Sequence, residues 1–180
     1  VWRDYDVVAR PVDKRENYIK RAVGIPGDTL QIIQGMIHIN GRLLDNPPGV
    51  QHNYQVITDG SPIPNRIIER YDISDWGMAA QGVYIMAMQE ETARQIQGLG
   101  NVTELTRLTR EPGRHERHIF PHSLYYPWNE DNFGPLWIPK KGHTIPIHTG
   151  NIELYERIIG VYEKNQLEVK NDQIWINGEQ

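Results

Sequence analysis

The chain has 180 residues, enough for one domain or for a core with one inserted subdomain. With 38% hydrophobic and 23% charged residues it can bury a real core, while a net charge of -4 argues against nucleic acid as the main partner. It contains no cysteine, which removes disulfides, thiol nucleophiles and Cys-ligated zinc, and it has no apolar run of about 18 residues that could span a membrane. The opening Val1-Trp2-Arg3-Asp4 has no signal-peptide profile, and the closing "QIWINGEQ" stops just after a turn signal; both ends read as internal points of a longer chain.

The first segment reads as strands. "YDVVARPV" is a short apolar run ending at Pro11, and "NYIKRAVG" alternates as a strand bounded by turns. The "GIPGD" turn, Gly24 to Asp28, joins a proline of fixed φ to two conformationally free glycines, so it should be stiff. "TLQIIQGMIHINGRLL" follows as two strands about a tight connection near Gln34-Gly35, closed by the turn pair Asn40-Gly41. The pattern returns near the other end: "LQIIQGMIHING" (30–41) aligns without a gap on "LEVKNDQIWING" (167–178), as two similar hairpins or as the common look of any good hairpin.

The middle differs in character. "NPPGVQHNYQVITDGSPIPN" is rich in Pro, Gly and Asn and marks a boundary near Asn46. Beyond it "GVYIMAM" is a strand, "QEETARQIQGLG" a helix with Glu90 and Glu91 in its first turn and Gly98 as its stop, and "NVTELTRL" an alternating strand. "YYPWNEDNFGPLWIPKKG" is an aromatic, proline-rich return, and "NIELYERIIGVYEKN" a second amphipathic helix.

Few residues carry chemistry. Lys20 is one of only six lysines and, unlike the others, follows an apolar pair, Tyr18-Ile19. Turned into the apolar side of a sheet, such a lysine loses hydration, its pKa falls, and it can act as a general base; in plain alternation it instead faces solvent. His115, His118 and His122 stand at i, i+3 and i+7, one face of a helix and a conceivable metal site, but prolines bracket the stretch and a solvated loop is the expectation. Glu90-Glu91 and Glu130-Asp131 are adjacent pairs that do not aim at one point, Asn101-Val102-Thr103 is a formal glycosylation sequon, and the glycines of 24–35 do not have phosphate-loop spacing.

"YIKRAVGIPGD", Tyr18 through Asp28, resembles the lysine-bearing motif of type I signal peptidases at every position but one, where Ile25 replaces the usual leucine. "RPVDKRENYIKRAVGIPGDTLQI", "NEDNFGPLWIPKKG" and "LYERII" resemble members of this family from the Bacteroides group. The resemblance implies a membrane-anchored serine endopeptidase with a Ser-Lys dyad, needing no cofactor, whose partners are the signal peptides of exported preproteins. Lys20 matches its general base, Tyr18 and Ile19 the strand residues lining its substrate pockets, Asn17 their edge, and Gly24, Pro26, Gly27 and Asp28 the turn that fixes the strand's exit. On this reading burial makes Lys20 a base, and the anchor is missing from this chain.

The family's Ser-Met-x-Pro nucleophile motif is not found here: Ser61, Ser74 and Ser123 all follow the lysine, and none precedes Met-x-Pro. The Gly-Asp-Asn-Arg motif is missing too. The expectation is therefore a mainly β fragment from the extracytoplasmic side of an inner membrane, inactive by itself. It should comprise an incomplete antiparallel core (1–47 and 135–180) and an inserted α/β cap (48–134). The alternatives are a catalytically dead homologue and an extracytoplasmic binding module whose contact surface is Tyr125-Tyr126-Pro127-Trp128.

Overall fold

The computed structural model describes residues 20–179. The predicted strand "YDVVARPV" and the candidate residues Asn17, Tyr18 and Ile19 lie outside them. The fold is mainly antiparallel β. Strands β1 (Thr29–Ile33), β2 (Met36–Ile39) and β3 (Arg42–Leu43) come first, followed by β4 (His52–Thr58), helix α1 (Asn65–Arg70), β5 (Trp76–Ala80) and β6 (Val83–Met88). Helix α2 (Glu90–Gln97), β7 (Val102–Arg107) and β8 (Phe133–Trp137) precede α3 (Ile152–Arg157), which runs into a π turn (Ile158–Tyr162), and β9 (Leu167–Lys170) and β10 (Gln173–Ile176) end the chain. No helix among the described residues is long and apolar enough to cross a membrane.

One four-stranded sheet has the order β3-β2-β1-β8, a second β5-β6-β4-β7, and β9-β10 stand as a two-stranded hairpin. The second sheet carries the main core. Alternate residues of its two central strands, Tyr54 and Val56 on β4 and Tyr84, Met86 and Met88 on β6, pack under Ile68 of α1 and Ala93 and Ile96 of α2. Val56, Met86 and Ile96 are fully shielded from solvent, each worth about 1.5–3 kcal/mol of burial. In the first sheet no residue of β1 or β2 is fully buried: all are half-buried except the exposed Ile33.

Strand, helix, strand over β6, α2 and β7 follows the sequence pattern, with Arg94 bonded to Glu90 (2.7 Å) and Glu91 (2.8 Å) on the helix surface. The segment read as a boundary loop instead contains β4, which pairs with both β6 and β7 and so separates them. Its alternation, Tyr54, Val56 and Thr58 inward, is masked by the Pro, Asn and Gly around it. The strand expected over "NYIKRAVG" is not formed in its described part: residues 20–24 have no strand geometry.

The two matching segments do form matching hairpins. Leu30 faces Ile39 and Ile33 faces Met36 in one; Leu167 faces Ile176 and Lys170 faces Gln173 in the other. Both turns place two consecutive residues at positive φ, Gln34-Gly35 (50° and 74°) and Asn171-Asp172 (50° and 61°), the type I′ geometry that matches strand twist.

Candidate active-site segment

Lys20 begins the described segment and is exposed, as are Arg21 and Ala22. The order increases at the turn that follows. Asp28 N–H donates to Ile25 O (3.0 Å), and the Asp28 carboxylate accepts from Ile25 N–H (3.0 Å) and from Asn40 Nδ2 (2.8 Å). These two hydrogen bonds to the ionised form, the Ile25 amide first, hold the Asp28 carboxyl below its ordinary pKa.

Asn40 in turn accepts from Thr29 N–H (2.9 Å), so the turn, the start of β1 and the end of β2 form one bonded unit. The far side is pinned as firmly. Gly27 N–H donates to Ile138 O (2.8 Å), Ile138 N–H to Asp28 O (2.8 Å) and Trp137 Nε1 to Gly27 O (3.2 Å). Gly27 sits at φ 101°, where a side chain would be strained, and a Cβ at Gly24 would stand 2.6 Å from Ile138 Cδ1. The geometry therefore fixes where the chain leaves the sheet on its way back to Lys20.

The family model for the signal peptidases of peptidase family S26 matches residues 2–105, more than half of the chain. The chain belongs to the signal peptidase S26 family. It is 26% identical over 148 residues to a probable signal peptidase I-2 of Synechocystis, covering 74% of this chain and 62% of that protein. It is 33% identical over 45 residues to signal peptidase I of Bacillus caldolyticus, covering 25% of each. The chain thus spans less than two thirds of the length of these relatives. No solved structure matches it significantly.

Ser123 is buried in the aromatic return, where its Oγ accepts from Tyr125 N–H (3.1 Å), and Ser61 N–H donates to Asp59 Oδ1 (2.9 Å) in a loop after β4. In the Tyr125-Tyr126-Pro127-Trp128 stretch, Tyr126 and Trp128 are half-buried while Tyr125 and Pro127 are exposed. Tyr126 packs on Trp128 (ring centroids 4.8 Å) and Trp128 on Phe133 (4.5 Å), and Tyr126 OH donates to Gly150 O (2.8 Å), which leaves Tyr125 outermost at 87% exposed.

The three histidines of "RHERHIFPH" do not share a helix, since residues 114–122 are turn and coil. His118 instead lies with Glu116 and Glu130 in a group whose ligand atoms are within 4.8 Å of one another. Arg110 Nε already occupies that group, bonded to Glu116 Oε1 (3.2 Å) and Glu130 Oε1 (3.3 Å).

Sequence reasoning missed the junction between the two sheets. Arg107, at the end of β7, donates through Nη2 to Gln34 O (3.1 Å) in the β1–β2 turn and pairs with His52 Nδ1 (3.0 Å) on β4. Gly35 N–H donates to Asp131 O (2.8 Å) and Gln34 N–H to Asn132 Oδ1 (3.2 Å). Around these groups lies a polar cleft of about 520 Å³ lined by His52, Asn53, Arg107, Arg110 and Asp131. Desolvation, then the Arg107 charge, pushes the His52 pKa below its ordinary value. Contacts between residues so far apart in sequence leave no local signal.

Proposed function

We propose that this chain is part of a type I signal peptidase, of the kind found in the Bacteroides group, in which Lys20 is the general base. The observation that carries the reading is the Tyr18–Asp28 motif within a family-matched region, joined to a turn bonded on both sides. A serine supplied by a part of the longer protein outside this sequence attacks the scissile carbonyl. Lys20 takes the hydroxyl proton as the carbon–oxygen bond forms, and returns a proton to the departing amine as the carbon–nitrogen bond breaks.

A base of this kind must be kept neutral near pH 7, so Lys20 has to be covered in the complete enzyme. Its exposure here, and the half-buried first sheet, fit a core that lacks part of its cover. The division into an incomplete core (1–47 and 135–180) and an inserted cap (48–134) belongs to the same proposal. So do the substrate contacts of Asn17, Tyr18 and Ile19 and the turn role of Gly24, Pro26, Gly27 and Asp28. The enzyme would be anchored in the inner membrane with this part on the extracytoplasmic side, cutting signal peptides from exported proteins, and this chain by itself would be inactive.

The test is Lys20→Ala in the full-length protein, with cleavage of a preprotein as the readout. The expected loss is about 10²–10⁴-fold at unchanged folding, the share a positioned base contributes. Activity retained within about tenfold removes Lys20 from that role. A full-length protein with no serine before the lysine motif would favour the catalytically dead homologue instead.

A further inference from the structure

Asn40 lies in the turn after β2, outside the Tyr18–Asp28 motif, yet it holds the bend that leads back to Lys20. Its Oδ1 accepts from Thr29 N–H (2.9 Å), its Nδ2 donates to Asp28 Oδ1 (2.8 Å), and its own N–H donates to Thr29 O (2.9 Å). The other carboxylate oxygen of Asp28 accepts from Ile25 N–H (3.0 Å), so one chain of bonds runs from Asn40 to the residue after Gly24. The contacts from β8 grip the backbone of Gly27 and Asp28, whereas Asn40 acts on the Asp28 side chain, the group that holds Ile25.

From Gly24 the chain runs back through half-buried Val23 to the exposed Ala22, Arg21 and Lys20. Four residues span at most about 14 Å, so a tilt of about 10° at the bend carries the Lys20 backbone through about 2 Å. A general base must meet its proton at hydrogen-bond distance, and a displacement of about 1 Å can cost about 10²-fold in rate.

We propose that Asn40 is a positioning residue for Lys20: through the Asp28 carboxylate it fixes the angle at which the lysine segment leaves the first sheet. This rests on the base role proposed for Lys20. The arrangement has a reciprocal form that keeps every bond. With Asp28→Asn and Asn40→Asp together, the amide oxygen at 28 accepts from Ile25 N–H, and its amide nitrogen donates to the carboxylate at 40. That carboxylate still accepts from Thr29 N–H. Each single substitution instead sets like groups face to face, two carboxylates or two amide nitrogens. Asparagine and aspartate both tolerate the φ of 53° at position 40, so the turn itself is not strained. Asn177 supplies the control, because it makes the matching bonds to Gln166 N–H and Asn165 Oδ1 in the other hairpin.

The test uses the full-length protein with a preprotein as substrate. Asn40→Asp and Asp28→Asn should each lower kcat at least about tenfold with an unchanged circular dichroism spectrum, and the double substitution should return it to within about threefold of the parent. The acid limb of kcat/KM, which reports the base of the free enzyme, should also move. A displaced Lys20 regains hydration and its pKa rises toward the ordinary lysine value of about 10.4, so the limb shifts to higher pH in each single variant and back in the double. Asn177→Asp should change neither quantity. Where one single variant does not fold, the other makes the same comparison with the double. A folded single variant with kcat within about threefold of the parent overturns the proposal, as does a double as slow as the singles. So does an unmoved acid limb, or an equal loss in Asn177→Asp. Lys20→Ala separates the two levels: if it abolishes cleavage while the Asn40 and Asp28 variants do not, only the positioning role falls, and if it is tolerated, the base role falls with it.

Discussion

The β1–β2 and β9–β10 hairpins are nearly the same object in two settings. Beyond their strands and turns, both use an asparagine at positive φ, Asn40 (53°) or Asn177 (53°), to close the unit. Asn40 Oδ1 accepts from Thr29 N–H, and Asn177 Oδ1 from Gln166 N–H, each at 2.9 Å. Asn40 Nδ2 donates to Asp28 Oδ1 (2.8 Å) and Asn177 Nδ2 to Asn165 Oδ1 (2.9 Å). What differs is the surroundings. In the first hairpin the position of Asn165 is held by a carboxylate that also grips Ile25, β8 lies along β1, and the turn is docked against Arg107 and Asp131. A local code makes the hairpin, and its neighbours turn one copy into the mount for the lysine segment.

The sharpest way to break that difference is Gly134→Ala on β8. Gly134 sits at φ 84°, and an added Cβ would stand 2.6 Å from Leu30 O and 3.0 Å from Leu136 N, both backbone atoms that cannot swing aside. Positive φ and a backbone clash together should cost about 2–4 kcal/mol, read as a shift of the urea midpoint. Pairing of β1 with β8 should be lost, with faster amide exchange in β1 and unchanged exchange in β9. Equal protection in β1 before and after would show that β8 does not hold the first hairpin.

A smaller effect separates the asparagines. Asn40→Ala and Asn177→Ala each remove two side-chain bonds from comparable turns, at about 0.5–1.5 kcal/mol apiece. The loss at Asn40 should be the larger, because it also frees Asp28 from one of the two groups that hold its carboxylate. Equal losses in thermal unfolding would mean that the Asp28 turn adds nothing to the first unit.

Legibility in the sequence follows the range of the forces. Gln34-Gly35, Asn40-Gly41 and Asn177-Gly178 specify their turns within a few residues, so both hairpins could be read directly, as could β6, α2 and β7 from period and helix-stop chemistry. β4 was hidden by its flanks although Tyr54, Val56 and Thr58 alternate, and "WGMAA" gave no strand signal because glycine and alanine have poor strand propensity. In the lysine run the alternation suits a strand, whereas residues 20–24, the described part, have no strand geometry. The candidate site was legible as a motif, whereas the exposure of Lys20 and the Arg107 clamp depend on which distant elements are present.

The weakest expected effect tests the clamp that only the first hairpin has. Arg107 Nη2 reaches both Gln34 O and His52 Nδ1, so the ring must be neutral to accept, and desolvation together with the Arg107 charge disfavours its protonation. Asp131 and Glu90 pull the other way but rank after those two causes. A histidine whose pKa is lowered on folding binds fewer protons in the native state than in the unfolded chain. Its contribution is therefore present above the ordinary value of about 6.5 and is lost as pH falls through the lower folded value. His52→Gln keeps an acceptor for Arg107 and removes the titration. Thermal stability should fall less between about pH 7 and pH 5 in His52→Gln than in the parent, with hydrogen exchange quickening first at the Gln34-Gly35 turn of the parent and not at Asn171-Asp172. Identical pH slopes in the two proteins would mean that Arg107 bridges the sheets without depending on the charge of His52.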